Sequence, residues 1–157
     1  MKNLKKSMAI LLIVATAFLS VNCSSSSDDG GSASFFLKCR VNGVQFTSSD
    51  PFVINSLSKS LTAQSDGVAQ ETMSLFMPLN VAVGTYTITE EPSNVNSYGA
   101  SYSNFDTDVS TQDATGTITI TEVTADVIKG TFSFTSPDFD GNPITVTNGS
   151  FRAENVQ

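Results

Sequence analysis

The reactive side chains of this 157-residue chain form a short inventory: two cysteines, fifteen carboxylates, three tyrosines and no histidine. Without an imidazole, a Ser or Cys nucleophile lacks its usual general base, and the His-rich zinc sites are excluded. The sequence carries neither a phosphate-cradling glycine loop nor a G-x-S-x-G elbow. Glu90 and Glu91 are adjacent and point to opposite faces when extended, so they do not make a hydrolytic pair. Asp138 and Asp140, or Asp106, Asp108 and Asp113, offer oxygens to Ca²⁺, but neither group has the spacing of a calcium loop, and Asp140-Gly141 reads as turn chemistry. Tyr98, Tyr102 and Phe105 lie in a polar stretch and offer an aromatic surface to a sugar or a partner protein. The two-residue spacing of Tyr98, Ala100 and Tyr102 equally puts both rings on one strand face over the core. The expectation is a chain with no catalytic residue, no cofactor and no confident metal site.

One residue stands in a setting that implies a defined chemistry. Cys23 follows a leader with Lys2, Lys5 and Lys6 at its start and an uncharged run from Met8 to Leu19. That run is long enough for the apolar core of an export signal and too short to cross a bilayer, which takes about 20 residues. Two cleavage readings compete. Cleavage at Ala15-Thr16-Ala17 gives plain secretion and a free Cys23, whereas cleavage before Cys23 makes it the first mature residue, open to acylation.

Leu19-Ser20-Val21-Asn22-Cys23, followed by Ser and Asp residues, resembles the lipobox and tether of bacterial lipoproteins of the Bacteroidetes type. It departs from the usual pattern in having Ser20 and Asn22 where Leu and Gly or Ala are common. The resemblance implies a lipidated Cys23, an outer-membrane location and, through Asp28 and Asp29, an export-to-surface signal; the other reading of the two aspartates is solvated linker charge. A periplasmic-facing or secreted protein is the alternative. Several acyl chains hold firmly where one binds marginally. Ser24 to Ser34 contains six Ser, two Gly and a lone apolar Ala33, which reads as a flexible tether with a reach of about 18 Å. The expected organisation is a signal peptide at 1–22, lipidated cysteine and tether at 23–34, and one β domain at 35–157.

Once the leader is removed, five basic residues face fifteen acidic ones, a net charge of −10. Nucleic acid is an unfit partner for that balance, and attraction to anionic lipid is disfavoured too.

From Phe35 onward the apolar period is two. Phe35, Leu37, Cys39 and Val41 alternate with Phe36, Lys38, Arg40 and Asn42. Asn42-Gly43 between two valines is a strong hairpin signal, predicting Val41 opposite Val44 with Phe46 on the face of Cys39. Cys39 then points inward, as a small hydrophobe rather than a nucleophile. Further strands are expected at Phe52 to Leu57 and Leu61 to Ser65 around a Ser58-Lys59-Ser60 turn, at Met73 to Leu79, at Thr85 to Thr89 and around Tyr98 to Tyr102. Residues 105–115 read as an exposed acidic loop. Thr117 to Glu122, Val127 to Thr135 and Ile144 to Thr147 follow, with Asn148-Gly149 a tight turn or a bulge before Ser150 to Ala153.

Nine or ten short strands and no helical period after the leader predict an all-β antiparallel sandwich, with a flattened lipocalin-like barrel as the alternative. The segments Gly84-Thr85-Tyr86, Gly116-Thr117-Ile118, Gly130-Thr131-Phe132 and Gly149-Ser150-Phe151 resemble an uncharacterised lipoprotein domain family of the same bacterial group. The functional expectation is a lipid-anchored module, non-enzymatic, that binds a glycan, a protein or a small ligand or has a structural envelope role. An extracellular enzyme on polysaccharide or peptide, or a carrier of a lipophilic ligand inside a barrel, is the competing class.

Overall fold

The computed structural model describes residues 34–89 and 95–157. Cys23, Asp28, Asp29, Glu90 and Glu91 lie outside the described residues. Eleven strands are present among them, one more than the upper count expected from turn spacing, and no helix.

The Asn42-Gly43 hairpin opens the fold as its residues dictate. It joins β1 (Phe36–Val41) to β2 (Val44–Ser48), with Val41 opposite Val44 and Cys39 opposite Phe46. Both turn residues have positive φ, 48° and 83°, the condition of a type I′ loop. Next come β3 (Phe52–Asn55), β4 (Lys59–Gln64), β5 (Glu71–Met77), β6 (Gly84–Ile88), β7 (Gly99–Asn104) and β8 (Val109–Ser110). Three long strands close the chain: β9 (Thr115–Val123), β10 (Val127–Pro137) and β11 (Pro143–Glu154).

All strand pairings are antiparallel and make two sheets, one ordered β2-β1-β11-β10-β9-β6 and the other β3-β4-β5-β7-β8. The sheets do not close into a barrel, so the architecture is that of a sandwich and the lipocalin-like alternative falls. They meet at two corners, where Ile88 bridges Tyr98 and Thr111 bridges Asp138.

Between the sheets lies one core. The larger sheet contributes Leu37, Cys39, Phe46, Ile118, Ile120, Phe132, Phe134, Val146 and Phe151, and the smaller contributes Leu61, Met73, Leu75, Met77 and Tyr102. Each Val, Leu, Ile, Phe or Met among them, fully buried, contributes roughly 1.5–3 kcal/mol by leaving water.

The Gly-Thr-aromatic pattern has a packing cause. Gly116 sits opposite Phe134, Gly130 opposite Phe151 and Gly149 opposite Phe132 on neighbouring strands. A Cβ on any of the three would fall within 3 Å of that phenylalanine. The Phe151 and Phe132 rings therefore lie over Gly130 and Gly149, and Gly116 lies against the Cα and Cβ of Phe134, which explains why a glycine stands opposite each of these large apolar residues.

One open alternative is decided and three local expectations need correction. Asn148-Gly149 is a bulge inside one long strand: Asn148 takes φ 54° and β11 carries one more residue than β10 and β1 across that point. The 105–115 stretch is not wholly exposed, since it contains β8 and buries Thr111 and Ala114. Strand β5 stops at Met77 before Pro78, leaving Leu79 45% exposed outside the core row. Lys59 lies in β4 and not in a turn; it shares the inward parity of Leu61 and Ala63 and is buried.

Candidate ligand groove

At the Ile88–Tyr98 corner lies a groove of about 540 Å³. Four segments build it: Leu57 from the β3–β4 turn, Pro78, Leu79 and Asn80 after β5, Tyr86 and Thr87 on β6 with Thr89 beyond it, and residues 95–98 before β7. The N–H of Thr89 donates to the Tyr98 carbonyl at 3.0 Å, which pins the end of β6 beside the strand that leads into β7.

At its base the Tyr86 and Tyr98 rings stack, with centroids 4.1 Å apart and planes 12° from parallel. The Tyr86 hydroxyl donates to the Ala82 carbonyl at 3.0 Å. This bond curls the ring over Gly84, where a Cβ would meet the phenol oxygen at 2.9 Å. Burial, then the neighbouring Tyr86 hydroxyl, holds the Tyr98 phenol above its ordinary pKa. Leu57, Leu79 and Val95 are exposed apolar rims, and Asn80, Thr87, Thr89, Asn96 and Ser97 supply amides and hydroxyls. Stacked rings, an apolar rim and a few convergent neutral polar groups suit an uncharged ligand that has both C–H faces and hydroxyls.

The aromatic residues singled out in the sequence do not share a surface. Tyr98 and Tyr102 are 7% and 5% exposed and belong to the core, while Phe105 is 72% exposed beyond the end of β7. Tyr102 donates to Glu71 Oε1 at 2.6 Å, and burial, then that bond, raises its pKa. Of the three, Tyr98 alone reaches the groove, and its partner there is Tyr86. Tyr86 shares the parity of Ile88 on β6, at the edge of the larger sheet, a signal that directs it inward without saying what it meets.

Asp138 is used by its own loop. Its carboxylate accepts from the N–H groups of Asp140 at 3.0 Å and Asn142 at 2.7 Å, and from Asn142 Nδ2 at 3.0 Å. The Asn142 side chain, then its backbone N–H, holds the Asp138 carboxyl below the usual carboxylate range. Among the described residues no group of three or more Cys, Asp or Glu is placed to hold a metal ion.

Cys39 is 1% exposed, and burial, then the Glu71 charge, pushes its thiol up to about 12. Lys59 donates to Asn155 Oδ1 at 3.0 Å and to the Val156 carbonyl, which also accepts from Asn55 Nδ2. A buried ammonium thus pins the residues after β11 across the end of the smaller sheet, and burial lowers its pKa.

A family described as a domain of unknown function, DUF6252, matches residues 34–153. The chain belongs to that family. The match spans all eleven strands except the last residue of β11, so the whole sandwich is the family's domain. No curated protein and no solved structure matches the chain.

Proposed function

We propose that this DUF6252 protein is an exported, lipid-anchored envelope module that binds a short neutral glycan in the Tyr86–Tyr98 groove without turning it over. The observation that carries the binding reading is the stacked tyrosine pair, set beneath exposed Leu57, Leu79 and Val95 and beside neutral amides and hydroxyls. Sugar rings present C–H faces to aromatic and aliphatic carbon and hydroxyls to Asn, Thr and Ser, which is the mixture found here. A non-enzymatic role is supported by the setting of Cys39, whose thiol is buried and stays protonated to about 12.

The groove reading is tested by glycan binding to the mature chain and two variants. Tyr86→Ala removes one ring of the stack, and Leu57→Glu puts a charge on a residue 76% exposed, which leaves the fold untouched. Each is expected to weaken binding tenfold or more. Wild-type affinity in both moves the site elsewhere, and hydrolysis of the bound glycan overturns the non-enzymatic reading.

The anchoring reading rests on Cys23 at the end of the apolar leader and on the polar run that follows, and placement at the outer face of the outer membrane rests on Asp28 and Asp29. Cys23→Ala is expected to abolish acyl labelling and release the protein from the membrane fraction. Protease added to intact cells is expected to remove the domain of the wild-type protein. Persistent fractionation of the variant with membranes refutes the anchor, and full protection from protease refutes surface display.

A further inference from the structure

The net negative charge conceals a strong segregation. Of the five basic residues in the described chain, Lys38, Arg40, Lys129 and Arg152 project from the outer face of the six-stranded sheet. The register groups them: Arg152 lies opposite both Phe36 and Lys129, Lys38 opposite Ser150, and Arg40 opposite Thr147. The fifth, Lys59, is buried. Glu122 and Glu154 are the acids with outward parity on this face, and Glu122 pairs with Lys129 at 2.6 Å. The other nine described carboxylates sit on loops or at strand ends.

The rest of the face is neutral. From Lys38 the register runs across Ser150, Thr131, Thr119 and Thr85. Strand spacing of about 4.8 Å makes this an uncharged hydroxyl strip on the order of 15 Å long beside the cations. The cations themselves cluster where the domain's chain begins. The Arg152 guanidinium lies 6.0 Å from the Phe35 ring and the Lys38 ammonium 5.4 Å from the Phe36 ring.

We infer that this face of the six-stranded sheet, led by Lys38, Arg40 and Arg152, lies against the anionic headgroups of the membrane that holds the anchor. The inference rests on lipidation at Cys23. Eleven residues separate Cys23 from Phe35, a span of at most about 40 Å, so the patch nearest the chain's entry stays within reach of the bilayer. Opposite charge selects which side of the domain turns toward it. The face carries four cations against Glu122 and Glu154, a net charge of +2. Near an anionic surface this biases orientation by about thirtyfold, which is enough to orient a tethered domain and little for an untethered one. Acidic loops on the remaining surface are repelled by the same headgroups, which keeps the groove corner available to ligand in solution.

The test uses the full acylated protein inserted in vesicles of phosphatidylcholine alone or with three parts in ten phosphatidylglycerol, and follows modification of Lys38 by a water-soluble amine reagent. Modification is expected to be at least tenfold slower on the anionic vesicles, with the neutral rate restored in 0.5 M NaCl. In Arg40→Glu with Arg152→Glu the protection of Lys38 is expected to be lost while the protein still floats with the vesicles. Equal rates on both vesicle types in floating protein overturn the docking and leave the anchor standing, whereas failure to float overturns the anchor and with it the docking. Protection by a soluble polyanion on neutral vesicles, without protection on anionic vesicles, also overturns it by giving the face to an acidic polysaccharide.

Discussion

Replacing Gly130 with valine is expected to destabilise the domain by about 3 kcal/mol or more, enough to lower its melting temperature by roughly 10 °C. The cause is geometric. A Cβ at Gly130 would lie 2.5 Å from the Thr119 carbonyl oxygen and 2.7 Å from Phe151 Cζ. The ring could rotate away at some cost in packing, but the carbonyl belongs to β9, which pairs with β10 in the centre of the larger sheet. Moving it breaks ladder hydrogen bonds next to the register shift between Lys129 and Gly130. Gly130→Ala carries the same contacts and a smaller excess volume, so it is expected to cost less than valine. Adding Phe151→Ala to Gly130→Ala relieves the ring contact and not the carbonyl contact, so the pair is expected to be less destabilising than the sum of the singles. Gly67→Ala is the control, because the nearest atom to its Cβ is 3.9 Å away; it is expected to stay within about 0.5 kcal/mol of wild type. Urea titration and thermal melting of the five variants, the single Phe151→Ala included, measure all of this, and a Gly130→Val melting point within 2 °C of wild type overturns the packing account.

The ring-over-glycine pattern also shows which parts of the fold could be read from residues alone. Local rules sufficed at Asn42-Gly43, where two residues tolerant of positive φ set the turn and the turn set the register of the whole hairpin. They also placed Cys39 and Phe46 inward, because one buried face forces period two. Where a polar residue carried the inward parity the reading went astray. Lys59 looked like turn chemistry between two serines, yet its partners, Asn155 and Val156, come from the far end of the chain. No local rule supplies a neutral carbonyl and amide about a hundred residues away. Asn148 was ambiguous for a similar reason: αL backbone serves a turn and a bulge equally, and the choice was made by the pairing of β11 with both β10 and β1. The groove was illegible altogether, since Leu57, Leu79, Tyr86 and Val95 belong to separate segments that meet through sheet topology. Net charge carries no information on how charges are distributed. It summed over a chain whose cations, Lys59 apart, occupy one face.

Alkaline pH is expected to unfold the domain through the groups its core keeps protonated. The Cys39 thiol titrates at about 12 in the folded chain against an ordinary value of 9.0, because burial, and then the Glu71 charge, opposes the thiolate. The unfolded chain therefore loses this proton first, and folding is linked to its retention. The contribution is fully present below pH 9 and is lost as pH rises from 9 to 12; a shift of three units corresponds to about 4 kcal/mol. Tyr98 and Tyr102, both raised above an ordinary 10.0 chiefly by burial, add to the loss above pH 10. Lys59 acts the other way. Its folded pKa is lowered from 10.5 by burial, so between that lowered value and 10.5 the unfolded chain holds more protons and stability rises with pH. One group opposes three, and the net slope above pH 10 is downward. Cys39→Ala isolates the thiol. At pH 7 the variant is expected to be less stable by about 1 kcal/mol, the packing of one small buried group. Its stability then falls more slowly than that of wild type above pH 9, and the two curves cross near about pH 10. Urea midpoints measured from pH 8 to 12 check the crossing. Parallel curves would show that the thiol is not what the core protects, and would assign the alkaline transition to the tyrosines alone.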